Sequence, residues 1–146
     1  MPTLNSYLSL YKDSHQNPLN IKIHFICVPA IMWSLLGFLD TFSILSPPLH
    51  LSYLVSLLGI LYYAKMGDVK VFGSMALVTL VMLASFGFTP YLREVSVAVF
   101  VLAWLGQFYG HIVEGKKPSF FQDLVFLLIG PVWILKKLFP ANFKNT

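Results

Sequence analysis

The chain has 146 residues, of which 57% are hydrophobic and 11% are charged, and its formal net charge is +4. About a quarter of the residues are charged in a typical soluble domain, so this composition excludes an ordinary soluble protein and indicates an integral membrane protein. The basic residues are spread between apolar blocks and do not form a stripe, which argues against nucleic-acid binding. A single cysteine excludes an internal disulfide.

The first segment, residues 1–22, is mixed in character and predicts a helix that lies along the membrane interface. Its apolar side chains recur three and four residues apart, as in an amphipathic helix: Leu4, Tyr7, Leu8 and Tyr11. Asn17-Pro18 is expected to end this helix, because the residue before a proline is pushed out of helical geometry. The segment lacks the basic start and apolar core of a secretory signal.

Four apolar blocks follow within residues 23–113 and predict membrane-crossing helices. They cover about residues 24–39, 49–64, 69–88 and 95–113. The remaining segment, residues 114–146, is predicted to be a cytoplasmic loop and a C-terminal helix. Gly130-Pro131 and two lysines interrupt its apolar block, which favours a re-entrant or interfacial helix. The sequence therefore predicts one all-α membrane domain over residues 1–146, a multipass helical bundle with about four transmembrane helices.

The distribution of lysines predicts the orientation. Lys65 and the pair Lys116-Lys117 follow the second and fourth blocks, whereas no basic residue lies between positions 40 and 49. Because cytoplasmic loops carry an excess of lysine and arginine, both termini and these lysine loops are predicted to be cytoplasmic. The membrane would be a bacterial inner membrane or the endoplasmic reticulum membrane.

Two polar clusters, at residues 15–29 and 106–118, lie next to apolar blocks on the predicted cytoplasmic side. They contain His15, His24 and His111, whereas His50 is predicted on the opposite side. Imidazole nitrogen is a common ligand of divalent iron, zinc and copper, and a carboxylate can complete an open iron site. Glu114 follows His111 by three residues, so the two side chains share one face of a helix. The cluster therefore predicts a metal site, with interfacial hydrogen bonding as the alternative.

Four further polar residues are candidates for substrate binding. Gln107 lies one turn before His111, where it can orient the imidazole or bond a neighbouring helix. Lys116 and Lys117 can hold an anionic headgroup, or can serve as topology signals alone. Asn17, beside a proline, is also suited to turn formation and helix capping.

The residues of both clusters carry a family resemblance. The motif Y-K-x-x-H-x-N-P-x-N-x-x-I-H-x-x-x-V-P occupies residues 11–29. The motif Q-F-x-G-H, followed by an acidic residue, a basic pair and a proline, occupies residues 107–118. This pattern resembles the small multipass family that includes the 2-hydroxy fatty acid dioxygenases, and the likeness extends over nearly the whole chain.

The resemblance implies an Fe(2+)-dependent dioxygenase that uses molecular oxygen to shorten a 2-hydroxy fatty acid by one carbon, with the lipid bilayer as its surroundings. By residue-by-residue correspondence, His15, His24 and His111 match the motif histidines. Glu114 stands one position closer to His111 than the acidic residue of some members. A second hypothesis is a non-enzymatic lipid-binding or small transport protein whose histidines make structural hydrogen bonds.

Overall fold

The computed structural model describes residues 4–45, 49–115 and 120–143, and the regular elements of these residues are helices. In chain order they are α1 (Leu4–Asp13), α2 (Pro18–Asp40), α3 (Leu51–Lys65), α4 (Val69–Phe86), α5 (Leu92–Glu114), α6 (Phe120–Leu138) and a short 3-10 helix (Pro140–Phe143). The all-α prediction is confirmed. The predicted turn at residues 46–48 and the candidates Lys116 and Lys117 lie outside the described residues.

Three helices in the described part of the chain, α2, α4 and α5, are long and apolar enough to cross a membrane. The fourth predicted span corresponds to α3, which is apolar but has 15 residues. Large apolar side chains remain exposed along α3 and α4, among them Leu54, Leu58, Leu80 and Val81. In a membrane protein these side chains contact lipid, whose hydrocarbon tails are as apolar as the side chains themselves.

Helix α2 begins six residues earlier than the first predicted span, at Pro18 instead of His24. Proline suits the first position of a helix, since the amide hydrogen that it lacks has no helical acceptor there. The side-chain oxygen of Asn17 accepts a hydrogen bond from Leu19 N at 2.9 Å, so Asn17 caps the helix. Residues 18–29 of the first cluster are therefore helical, whereas His15, Gln16 and Asn17 form the connection between α1 and α2.

Contacts divide the chain into two compact units, residues 1–29 with 102–146, and residues 30–101. In the first unit α1 packs against α6, and the core includes Tyr11, Ile129 and Val132. In the second unit α3 packs against α4, and Tyr63 and Met75 are buried. Every described candidate for a metal or substrate contact belongs to the first unit. The prediction of a single domain stays a prediction.

Two glycines allow α2 and α5 to approach closely within the first unit. A Cβ atom on Gly106 would lie 2.6 Å from Cys27 Sγ, and one on Gly110 would overlap Asn20 Oδ1. The Cβ on Gly110 would also lie 3.3 Å from His24 Cε1. The absence of a side chain at Gly110 therefore lets His24 reach the helix that carries His111.

Candidate functional site

Three buried imidazoles meet in the first unit. His15 lies in the connection between α1 and α2, His24 in the second turn of α2, and His111 in the last turn of α5. The ring centroids are separated by 4.2 Å between His15 and His24, 5.4 Å between His24 and His111, and 6.0 Å between His15 and His111. The exposed fraction of each side chain is 6% or less. The structure thus brings together three histidines, although the first and the last of them are separated by most of the chain.

Backbone carbonyl groups orient two of the rings. Nδ1 of His15 lies 2.7 Å from the carbonyl oxygen of Tyr11, and Nδ1 of His24 lies 2.9 Å from that of Asn20. Because a carbonyl oxygen only accepts, Nδ1 carries the proton in both rings, and the lone pair of the neutral ring lies on Nε2. Metal-binding histidines are commonly oriented by such a hydrogen bond from the second nitrogen.

Tyr11 is part of this site, although the sequence treats it only as an apolar position of α1 and the first letter of a motif. Its ring stacks on His15 with centroids 4.0 Å apart and an angle of 6° between the planes. Trp133 and Phe126 of α6 contact the Tyr11 ring at centroid distances of 5.1 and 5.3 Å. His15 therefore packs against Tyr11, which in turn packs against two aromatic side chains of α6. The place of Tyr11 four residues before His15 is the sequence signal that could have identified it.

A bound metal ion would require a particular spacing of the rings. With a metal–nitrogen distance of about 2.1 Å, the ring centres of two imidazole ligands lie roughly 4.5 to 5.5 Å apart. The separation of 5.4 Å between His24 and His111 lies in that range, whereas those of 4.2 and 6.0 Å, which involve His15, lie outside it. Across residues 4–45, 49–115 and 120–143, however, no group of three or more His, Cys, Asp or Glu side chains is arranged to hold a metal. The residues therefore fit an iron ion in the type of donor and in the spacing of His24 and His111.

Glu114, the last residue of α5, points its carboxylate at the start of α2. Oε1 accepts from Gln16 N at 2.9 Å and from Asn17 N at 3.2 Å. Oε2 accepts from Asn17 N and from Asn20 Nδ2, both at 2.9 Å. The role of Glu114 as a metal ligand stays a prediction, and in this structure its oxygens serve as acceptors for the helix start.

Gln107 is buried beside the histidines. It lines a cavity of about 10 Å³ together with Tyr11, His15 and His24, closed by apolar side chains of α2 and α6. A cavity of this size has room for about one water molecule. Gln107 Oε1 is buried and accepts no hydrogen bond from the described residues. An acceptor of this kind suits a small polar group that enters the cavity, because an unsatisfied buried amide is costly.

A different cavity occurs in the second unit. It has a volume of about 310 Å³ and is lined by Ser34, Leu35, Phe38, Ser96, Val97 and Phe100. Its size falls at the lower end of the range for small-molecule sites. Unlike the histidine cavity, it has no ionisable side chain among the described residues that line it.

Comparison with known proteins places these residues in a wider context. The family model described as 2-hydroxy-palmitic acid dioxygenase Mpo1-like matches residues 1–141. The protein named 2-hydroxy-palmitic acid dioxygenase MPO1 from Saccharomyces cerevisiae (strain ATCC 204508 / S288c) is 30% identical over 146 residues, which cover 96% of this chain and 82% of the yeast protein. No solved structure matches the chain significantly.

Proposed function

The chain belongs to the Mpo1-like family, and from this membership we propose that it is a membrane dioxygenase that shortens 2-hydroxy fatty acids by one carbon. Membership supports an oxidoreductase at the level of the family, and the name of the yeast relative supports a 2-hydroxy fatty acid as the substrate class. The observation that carries the proposal is the meeting of three buried histidines from separate segments. A protein that needed only interfacial hydrogen bonds would gain nothing from placing them together.

We propose that His15, His24 and His111 hold an Fe(2+) ion. When bound, iron supplies the redox chemistry that lets molecular oxygen react with an organic substrate. The protein supplies three neutral nitrogen donors, two of which are fixed by backbone carbonyls. Glu114 is not included in this ligand set, because its oxygens accept hydrogen bonds from Asn20 of α2 and from the two residues that precede this helix.

The substrate is proposed to bind with its carboxylate and 2-hydroxyl group toward the histidines and its acyl chain in the hydrocarbon of the bilayer. The cavity beside Gln107 has room for about one water molecule, so a fatty acyl chain does not fit within it. Gln107 is placed to hydrogen-bond the hydroxyl or the carboxylate. Tyr11, Phe126 and Trp133 form an aromatic side of the site and exclude water from it.

The membrane and the sidedness are part of the same proposal. The site lies at the cytoplasmic ends of α2 and α5 in the orientation that the lysines predict, in a bacterial inner membrane or in the endoplasmic reticulum. Lys116 and Lys117 would then be available to an anionic headgroup or carboxylate. Single-cysteine labelling in a Cys27→Ser background measures the sidedness of positions 46 and 116, which are expected on opposite sides.

The reaction is tested with anaerobically purified protein in detergent or lipid. We expect about one iron per chain, as a mononuclear site requires. Oxygen uptake and mass spectrometry of the product acid should show chain shortening of a 2-hydroxy fatty acid. The 3-hydroxy isomer and the unsubstituted acid should be slower by roughly 10⁴-fold or more, because a site that engages a hydroxyl group strongly rejects analogues without it.

Two outcomes separate this proposal from its alternative. Iron-loaded protein that shortens no 2-hydroxy acid of short, medium or long chain would exclude the proposed reaction. Protein that binds acids but never iron would instead support a lipid-binding or transport protein with structural histidines.

A further inference from the structure

The carboxylate of Glu114 joins two parts of the first unit that are distant in sequence. Glu114 ends α5, and its hydrogen-bond donors lie 94 to 98 residues earlier in the chain, at the start of α2. Two of the donors are the backbone amides of Gln16 and Asn17, and the third is the side-chain amide of Asn20. An ionised carboxylate accepts at about four positions. The four contacts with α2 and the residues before it use that capacity.

The electrostatics of a helix start favour this arrangement. The first amide groups of a helix have no acceptor inside the helix, and the helix dipole makes this end positive. Asn17 satisfies one amide with its own side chain, at Leu19 N. Glu114 satisfies the amides of Gln16 and Asn17 and brings a negative charge to the same end. The carboxylate is therefore a cap that α5 provides for α2.

Asn20, which is fully buried, connects the Glu114 cap to His24. The Asn20 side chain donates to Glu114, and its backbone carbonyl accepts from Nδ1 of His24. Gly110 leaves the space that the Asn20 side chain occupies, and the next residue is His111. The same contacts thus determine where His24 and His111 stand with respect to each other.

We propose that Glu114 is a positioning residue that fastens the end of α5 to the start of α2 and so sets the spacing of His24 and His111. The link to metal binding rests on the proposed function, whereas the cap itself does not. A positioning role differs from a ligand role in what the side chain must supply. A cap needs a hydrogen-bond acceptor of the right length, and an iron ligand needs the carboxylate.

Glu114→Gln and Glu114→Ala separate the two roles. The glutamine oxygen can still accept from the backbone amides, and Asn20 can turn its carboxamide so that Oδ1, which accepts no hydrogen bond from the described residues, receives one from the new amide. Alanine removes the acceptor altogether. Glu94, exposed in the first turn of α5, provides matched control variants, Glu94→Gln and Glu94→Ala.

Hydrogen exchange of metal-free protein gives the first measurement. In Glu114→Ala, peptides spanning residues 15–25 should exchange roughly tenfold faster or more, because amides that lose their acceptor open locally. Glu114→Gln and both Glu94 variants should stay within about threefold of the wild type. Unchanged exchange in Glu114→Ala would overturn the proposal, whether or not the protein is a dioxygenase.

Iron content and oxygen uptake give the second measurement. Glu114→Ala should lower iron affinity by roughly 10- to 100-fold, as loss of an outer contact of a ligand does, and Glu114→Gln should retain most of the iron. If Glu114→Gln lost as much iron as Glu114→Ala and kept normal exchange, Glu114 would be a ligand and the positioning role would be wrong. This comparison of Glu114→Gln with the wild type also decides the question if Glu114→Ala fails to fold. If the wild type bound no iron, the proposed function would fail and the exchange result would still stand.

Discussion

The histidine cavity of the first unit and the apolar cavity of the second differ in size, lining and the way in which they are built. The first has a volume of about 10 Å³ and is lined by histidines, a tyrosine and a buried glutamine. The second has a volume of about 310 Å³ and is lined by aliphatic, phenylalanine and serine side chains. Space alone would favour the larger cavity as a site. Chemistry favours the smaller one, because imidazole and amide groups, which can bind a metal or hydrogen-bond a substrate, line it, whereas the polar groups described at the larger cavity are two serine hydroxyls.

Removal of a histidine tests most directly whether the first unit carries the chemistry. His15→Ala, His24→Ala and His111→Ala should each lower activity by more than about 100-fold and remove most of the bound iron, because ligand loss exceeds the usual effect of an outer contact. His50→Ala, which changes the histidine of the second unit, should leave both nearly intact. Iron analysis and oxygen uptake measure the effects. If His50→Ala lost its iron and His111→Ala kept it, the metal site would not lie in the first unit.

Enlarging one side chain in each cavity tests whether the difference in space is real. Val28→Phe adds a ring beside the small cavity, where Val28 is 2% exposed, and should cost about 1 to 3 kcal/mol of stability through overpacking. Val97→Phe makes the same change at the large cavity, where Val97 is 48% exposed, and should change stability by less than about 0.5 kcal/mol. Unfolding in detergent provides the measurement. Equal losses would mean that the two cavities are packed alike.

Two helix glycines give the smallest expected contrast. Gly110→Ala places a methyl group against Asn20 and His24 and should destabilise the protein by about 1 kcal/mol or more. Gly73→Ala meets no atom within 4 Å and should stabilise α4 by roughly 0.5 to 1 kcal/mol, since glycine is the poorer helix former. Thermal unfolding followed by circular dichroism measures both. A stabilised Gly110→Ala variant would show that the close approach at Gly110 is not required.

The sequence predicts the elements well where a residue type is unusual for its surroundings. Histidines beside apolar blocks stand out, as do the polar breaks between the blocks, so the helices and the candidate ligands could be predicted. The start of α2 was predicted too late, because its first turns are polar and resemble an interfacial segment more than a spanning helix. Capping by Asn17 and proline at the first helical position explain why these turns are helical.

Contacts between residues that are distant in sequence could not be predicted from residue type. The hydrogen bonds of Glu114 to α2 join residues more than 90 positions apart, and a carboxylate three residues after a histidine looks the same in sequence whether it caps a helix or binds a metal. The stacking of Tyr11 on His15 depends on the packing of α1 against α6. The apolar cavity has no sequence signal at all, because leucine, valine and phenylalanine occur throughout the chain.

The origin of the three histidines in separate segments has a consequence for biosynthesis. His15 and His24 leave the ribosome with the first part of the chain, whereas His111 follows after α3 and α4. A nascent chain inserted only as far as α4 therefore carries two of the three imidazoles and none of the cap that Glu114 provides. Closure of so long a loop comes late in folding, because its entropic cost precedes the contacts that offset it. The complete site can form only in a nearly complete protein, so an unfinished chain has no means to assemble it.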